Sequence, residues 1–152
     1  MTIEANISSY KKNRLKMFIV ACLVLGAWCV YDGYFNQKWI ADHTGADGSA
    51  ETYLVFNRRA PYFLAFGAVL LGVYLASIVG KKVVADEDGL MVDGEEIKYA
   101  WIIKLDKTYF DSKGYFILTY KTAQGDETVK KISDLRYDNL KGILDRIVSK
   151  IS

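Results

Sequence analysis

The single histidine of this 152-residue chain, His43, stands beside Asp42 and is followed by Asp47 and Glu51, a donor set from which metal sites can be built. The spacing does not complete one. Catalytic zinc takes three protein ligands, commonly two His or a Cys, and a calcium loop alternates oxygen donors before a closing Glu, so this stretch reads as a solvated acidic turn. Cys22 and Cys29 are the only thiols. On one helix they would stand about 10 Å apart, beyond the roughly 7 Å that a disulfide bridges, and two thiols alone hold no metal. Gly-x-Ser-x-Gly, His-Glu-x-x-His, a phosphate-binding glycine loop and Cys-x-x-Cys are all absent from the sequence. The reading assigns no catalytic residue, metal ligand or cofactor. It expects a binding protein rather than an enzyme, with no small-molecule substrate.

The residues best suited to binding are aromatic. Tyr34, Phe35, Trp39, Tyr53 and Phe56 crowd one short polar stretch that ends in Arg58 and Arg59, around a glycine-rich middle at Gly45 to Ser49. Two readings stay open. The rings form an interfacial belt at headgroup level, or they form a platform for a partner, since aromatics and Arg are enriched where binding energy concentrates.

The elements flanking that stretch explain its place. Ala60 to Val79 carries no charge, and its twenty residues make about 30 Å of helix, the thickness of a bilayer core. Arg58 and Arg59 mark one end, with Pro61 expected in the first turn, and Gly80-Lys81-Lys82 marks the other. A first apolar run, Met17 to Phe35, follows the basic residues Lys11, Lys12, Arg14 and Lys16. It continues through Trp28 and Tyr31 with no small-x-small cleavage site after it, so it reads as a retained span rather than a signal peptide. The spans hold no Lys, Arg, Glu or His, so no proton or ion relay is expected in them.

Close packing of the spans is expected from small residues. Ala68, Gly72 and Ala76 recur every four positions, and Cys22 and Gly26 do the same in the first run. That face suits the other span, a second copy or another membrane protein. Six Lys/Arg lie beside the two terminal ends of the spans and three (Lys38, Arg58, Arg59) between the spans, which places both termini in the cytoplasm. The expected organisation is a basic cytoplasmic segment 1–16, spans 17–35 and 60–79, an extracytoplasmic aromatic loop 36–59, and a cytoplasmic domain 81–152. Lys81 and Lys82 are placed to meet anionic headgroups, at about 1 kcal/mol each. A formal net charge of only +2 gives no basis for a nucleic-acid partner.

After Lys81 the period changes. Short β-prone runs are divided by turns at Asp86-Glu87-Asp88-Gly89, Asp93-Gly94, Asp111 to Gly114 and Gln124-Gly125-Asp126, giving about six strands. An amphipathic helix closes the chain, with Leu140, Ile143, Leu144, Ile147, Val148 and Ile151 at three- and four-residue spacing and Asp138 as its expected cap. Thirteen Lys/Arg balance thirteen acids from Lys81 onward, and the apolar alternation suffices for a core of its own. The residues Gly89-Leu-Met-Val92, Ile97 to Ile103, Tyr115 to Tyr120 and Tyr137-Asp-Asn-Leu140 resemble the bacterial pleckstrin-homology-like domains that are attached to membrane helices. That resemblance implies a small α+β domain, a bent antiparallel sheet plugged by one C-terminal helix. It also implies residence at the bacterial inner membrane as a scaffold, assembly or accessory subunit. The acidic first hairpin loop, Asp86 to Gly89, is unlike the basic loops with which eukaryotic relatives hold phosphoinositides.

Overall fold

A computed structural model describes Thr2–Ser152. Along the chain it contains β1 (Ile3–Asn6), α1 (Ser9–Val30), a π-helical turn (Tyr31–Phe35), α2 (Gln37–Asp42) and α3 (Thr52–Val79). There follow β2 (Lys82–Ala85), β3 (Gly89–Val92), β4 (Glu95–Lys98), a 3-10 turn (Tyr99–Trp101), β5 (Ile102–Asp106), α4 (Phe110–Lys113), β6 (Tyr115–Lys121), β7 (Glu127–Ser133) and α5 (Leu140–Ile151). Two compact units result. One joins the residues up to Lys12 with Ser77–Ser152, and the other is Asn13–Ala76.

The first unit is an α+β domain of seven described strands in two antiparallel sheets, ordered β1-β2-β3-β4 and β5-β6-β7. All six strands expected from the sequence form. The seventh is β1, which revises the expected boundaries: the basic segment 1–16 contributes Ile3–Asn6 to the sheet, and the domain extends beyond 81–152. Its register on β2 runs from Ile3↔Ala85 to Asn6↔Lys82, and Ala5 and Ile7 are fully buried. The cause is a period-two pattern, Ile3-Glu4-Ala5-Asn6-Ile7, whose apolar members face the core and whose Glu4 reaches Lys82 at 2.7 Å on the outer side.

The core fills from three sides. Val83, Ala85, Leu90, Val92 and Ile97 come from the first sheet, Phe116, Leu118, Tyr120 and Ile132 from the second, and Leu140, Ile143, Leu144 and Ile147 from α5. The helix packs over β1 and β2 and against the 3-10 turn. Asp138 does not cap α5 as expected. Asn139 occupies that cap with φ +58° and no side-chain bond to the helix, and the residues before it run beside β1 instead, with Ile7 bridged to Tyr137. The Asp138 carboxylate thereby accepts from the Ser9 backbone N–H at 3.0 Å and from Ser9 Oγ at 3.2 Å, so it caps α1, 129 positions away. The Ser9 N–H, a bond only the charged form exploits fully, holds the Asp138 carboxyl below its ordinary range.

The second unit is a pair of long apolar helices joined by a short folded connection. Both α1 and α3 are long and apolar enough to cross a membrane, at 22 and 28 residues or about 33 and 42 Å. Each starts earlier than the sequence suggested, so Pro61 lies in the interior of α3 rather than in its first turn. With no N–H of its own, Pro61 leaves the Asn57 carbonyl without a helical donor. The helices run antiparallel, because an added Cβ on Gly26 would touch Leu64 Cβ at 3.8 Å while one on Gly33 would press on Asn57 at 3.2 Å.

Candidate functional site

The aromatic end of the helical hairpin is organised by one buried carboxylate. Asp32 is 7% exposed and takes Trp28 Nε1–H at 2.6 Å on one oxygen and Asn36 Nδ2–H at 2.8 Å on the other. A carboxylate withdrawn from water needs such donors. The π turn supplies the geometry: the Asn36 N–H bonds to the Tyr31 carbonyl at 2.8 Å, one residue wider than an α-helical bond. Gly33 follows in the same turn, and there the partner helix comes close. Arg58 Nε donates to the Gly33 carbonyl at 3.0 Å, its guanidinium stands 5.6 Å from the Tyr34 ring centre, and Tyr34 Oη donates to the Arg58 carbonyl at 3.4 Å. Nothing in the span's apolar pattern singles out Asp32; the signal available in the sequence is an indole and an amide four residues to either side of it.

The predicted loop residues divide. Trp39, on α2, packs against His43 with ring centres 3.2 Å apart and planes tilted by 32°, and His43 meets the Tyr53 ring edge-on at 6.1 Å. His43 Nδ1 also lies 2.9 Å from the Trp39 carbonyl. These rings build the loop itself. Asp47 closes a turn by accepting from Ser49 Oγ at 2.6 Å and Ser49 N–H at 3.0 Å, which holds its carboxyl below the ordinary range. Among the described residues no cluster of His, Cys, Asp and Glu has metal-binding geometry. Tyr34, Phe35, Tyr53 and Phe56 remain exposed, as does Arg59, whereas Arg58 is engaged with Gly33 and Tyr34.

The small-residue face only partly serves the hairpin. Gly26 lies against Leu64 and Ala68 is buried, but an added Cβ on Gly72 would meet nothing within 4 Å and Ala76 is exposed. Four residues turn a helix by about 400°, so a four-residue stripe drifts some 40° per step out of a straight seam. Ala68 therefore sits in the seam while Gly72 and Ala76 turn away from it. Cys22 and Cys29 are half-buried free thiols, and Cys29 lines an apolar groove with Leu25, Phe56, Ala60, Phe63 and Leu64.

On the domain, the acids of the first hairpin loop are structural. Asp86 accepts from the backbone N–H groups of Gly89 at 2.9 Å and Asp88 at 3.0 Å, which lowers its pKa, and Glu87 pairs with Arg146 and Lys150 of α5. A second tie joins the sheets. Tyr120 Oη donates to Glu95 at 2.5 Å and Lys130 pairs with the same carboxylate, while Asp93 accepts from Tyr137 Oη at 2.8 Å and pairs with Arg136 at 2.5 Å. Burial and then the Glu95 acceptor push the Tyr120 phenol up to about 12; burial and then Asp93 raise Tyr137 as well. Of the expected headgroup contacts, Lys82 is committed to Glu4 and Lys81 is exposed.

The outer domain surface offers two features. An open groove of about 450 Å³ beside α4 and the first turns of α5 has Lys107 and Lys141 facing Asp111 and Asp145 over Phe110 and Leu144, a mixed lining with no preference for either charge. Across the second sheet, Ile103 and Val129 are exposed beside Lys104 and Lys131, and Leu135 is 73% exposed just beyond β7. The Lys131 ammonium lies 3.8 Å from the Tyr115 ring centre, and Tyr115 stacks on Tyr109 at 5.5 Å.

No protein-family model matches the chain, and no curated protein or solved structure matches it.

Proposed function

We propose that this is a two-span membrane protein, with both termini in the cytoplasm of a bacterial cell, that carries a pleckstrin-homology-like interaction domain at the inner membrane as a scaffold, assembly or accessory subunit. The observation that carries the reading is the pairing of β1 with β2. Asn6 and Lys82 are neighbours on adjacent strands, so α1 leaves the sheet where the chain returns from α3. Both ends of the helical pair are thus rooted in one domain, on one side of any membrane the helices cross. Cleaving the first helix as a signal would also remove Ala5 and Ile7 from the core. Neither helix behaves as the buried core of a soluble protein. Phe18, Leu23, Val24, Phe63, Phe66, Val69 and Val73 are each about half to three-quarters exposed, an apolar surface that water does not tolerate.

Two antiparallel sheets closed by a C-terminal helix fit the resemblance drawn from the sequence, and the acids of Asp86 to Asp88 argue for a protein rather than a phosphoinositide as its ligand. The side chains suited to docking are Ile103, Val129 and Leu135 on the domain. A second reading, docking through the loop, is favoured by the exposed Phe35, Tyr53 and Phe56. Purification of tagged full-length chain in mild detergent separates the two. Loss of a stoichiometric partner in Val129→Asp, Leu135→Asp supports the domain, and loss in Tyr53→Ser, Phe56→Ser supports the loop. If wild-type chain purifies with no stoichiometric partner, the scaffold reading fails.

A further inference from the structure

We infer that the groove between α1 and α3 near the hairpin turn is a binding site for one acyl chain of an anionic phospholipid, with Arg59 holding its phosphate. The inference rests on the membrane reading above. The groove encloses about 490 Å³ and is lined only by Leu25 and Cys29 of α1 and Phe56, Ala60, Phe63 and Leu64 of α3. That volume is in the ligand-pocket range of about 300 to 1,000 Å³. From Phe56 to Leu64 it follows α3 for about 12 Å, along the direction an acyl chain takes in a leaflet. Its width comes from Ala60, a methyl group between two phenyl rings.

Charge selects the occupant. Arg59 is three positions after Phe56 and four before Phe63, on the helix face of both groove rings, and it is exposed with no partner among the described residues. Arg58 cannot substitute, because its guanidinium is held at Gly33 and Tyr34. Lys38, also exposed, lies in the first turn of α2 in the same connection. No acid lines the groove, and the Asp32 carboxylate is consumed by Trp28 and Asn36. An apolar slot beside an exposed guanidinium, with no acid in its lining, matches a lipid with an anionic head.

The test uses full-length protein in nanodiscs of equal chain length, with phosphatidylglycerol mixed into phosphatidylcholine, and counts the lipids retained per chain by native mass spectrometry. The expected result is one phosphatidylglycerol retained in preference to phosphatidylcholine. Arg59→Gln should lower that preference about fivefold, equivalent to about 1 kcal/mol, and Ala60→Phe should empty the groove of either lipid. Lys16→Gln, on the opposite flank of the span, should leave retention unchanged. Equal retention of both lipids, an Arg59→Gln chain that still prefers phosphatidylglycerol as wild type does, or a protein dimer that Ala60→Phe dissolves would overturn the inference. A chain that fails to enter nanodiscs at all would instead refute the membrane reading beneath it.

Discussion

Ile7→Ala tests whether the N-terminal strand belongs to the domain. Ile7 is 1% exposed, and removal of its buried carbons should cost about 2–5 kcal/mol, a transfer term plus the cavity left where the closed sheet cannot collapse. A domain of about 80 residues has roughly 4–12 kcal/mol to lose, so the change consumes a large part of it and lowers the melting temperature by about 8 °C or more at about 4–8 °C per kcal/mol. The assay replaces the helices by a flexible linker of about five residues between Ser8 and Lys81, which the Asn6↔Lys82 pairing makes short enough to close. Denaturant melts then compare this linked domain with its Ile7→Ala and Glu4→Ala variants and with Lys81–Ser152 alone. Glu4 meets Lys82 with both side chains nearly half exposed, so its loss should stay within about 0.5 kcal/mol. The fragment without β1 should be unfolded or far less stable. If Ile7→Ala and Glu4→Ala cost the same small amount, or if the fragment matches the linked domain, β1 is not part of the core.

Three further outcomes follow from the same structure, all read by melts of the linked domain. Gly89→Ala should destabilise by about 1–3 kcal/mol, because its Cβ would stand 2.6 Å from the Ile97 carbonyl oxygen and backbone must shift; exposed Lys141→Ala should change stability by less than about 0.5 kcal/mol. Stability should be constant through neutral pH and fall below about pH 4, since Asp86 and Glu95 have folded pKa values lowered by their donors and lose that contribution as they protonate. It should also fall above about pH 10, where unfolded tyrosines ionise while Tyr120 and Tyr137, raised by burial, stay neutral in the fold. A flat acid limb in the linked domain would contradict the Asp86 turn bonds and the Glu95 tie.

The sequence made the larger elements legible because their periods are strong. Long apolar runs mark both helices, and turn residues mark the six strands after Lys81. β1 was readable too, from Ile3, Ala5 and Ile7 alternating with Glu4 and Asn6. It was overlooked because the basic residues just beyond it are the usual flank of a span, and strand partners 78 positions apart leave no local sign. Asp138 failed for a related reason. A capping residue next to a helix start normally serves that helix, but the positive φ of Asn139 breaks the approach and a distant helix end takes the carboxylate. At the hairpin turn, residue type showed aromatic and Arg enrichment, but not that Arg58 is spent on Gly33 while Arg59 is open. That difference arises from the π turn that carries Gly33, which no periodicity records.

The central claim is a pair of membrane-crossing helices with both ends rooted in one cytoplasmic domain. Labelling of intact cells by a membrane-impermeant maleimide tests it most directly, in a chain whose Cys22 and Cys29 are replaced by Ser. Gly48→Cys, in the connection between the helices, should label in intact cells, and Ser152→Cys should label only after the cells are opened. Labelling of Ser152→Cys in intact cells with protection of Gly48→Cys, or protection of both positions until lysis, would contradict the account.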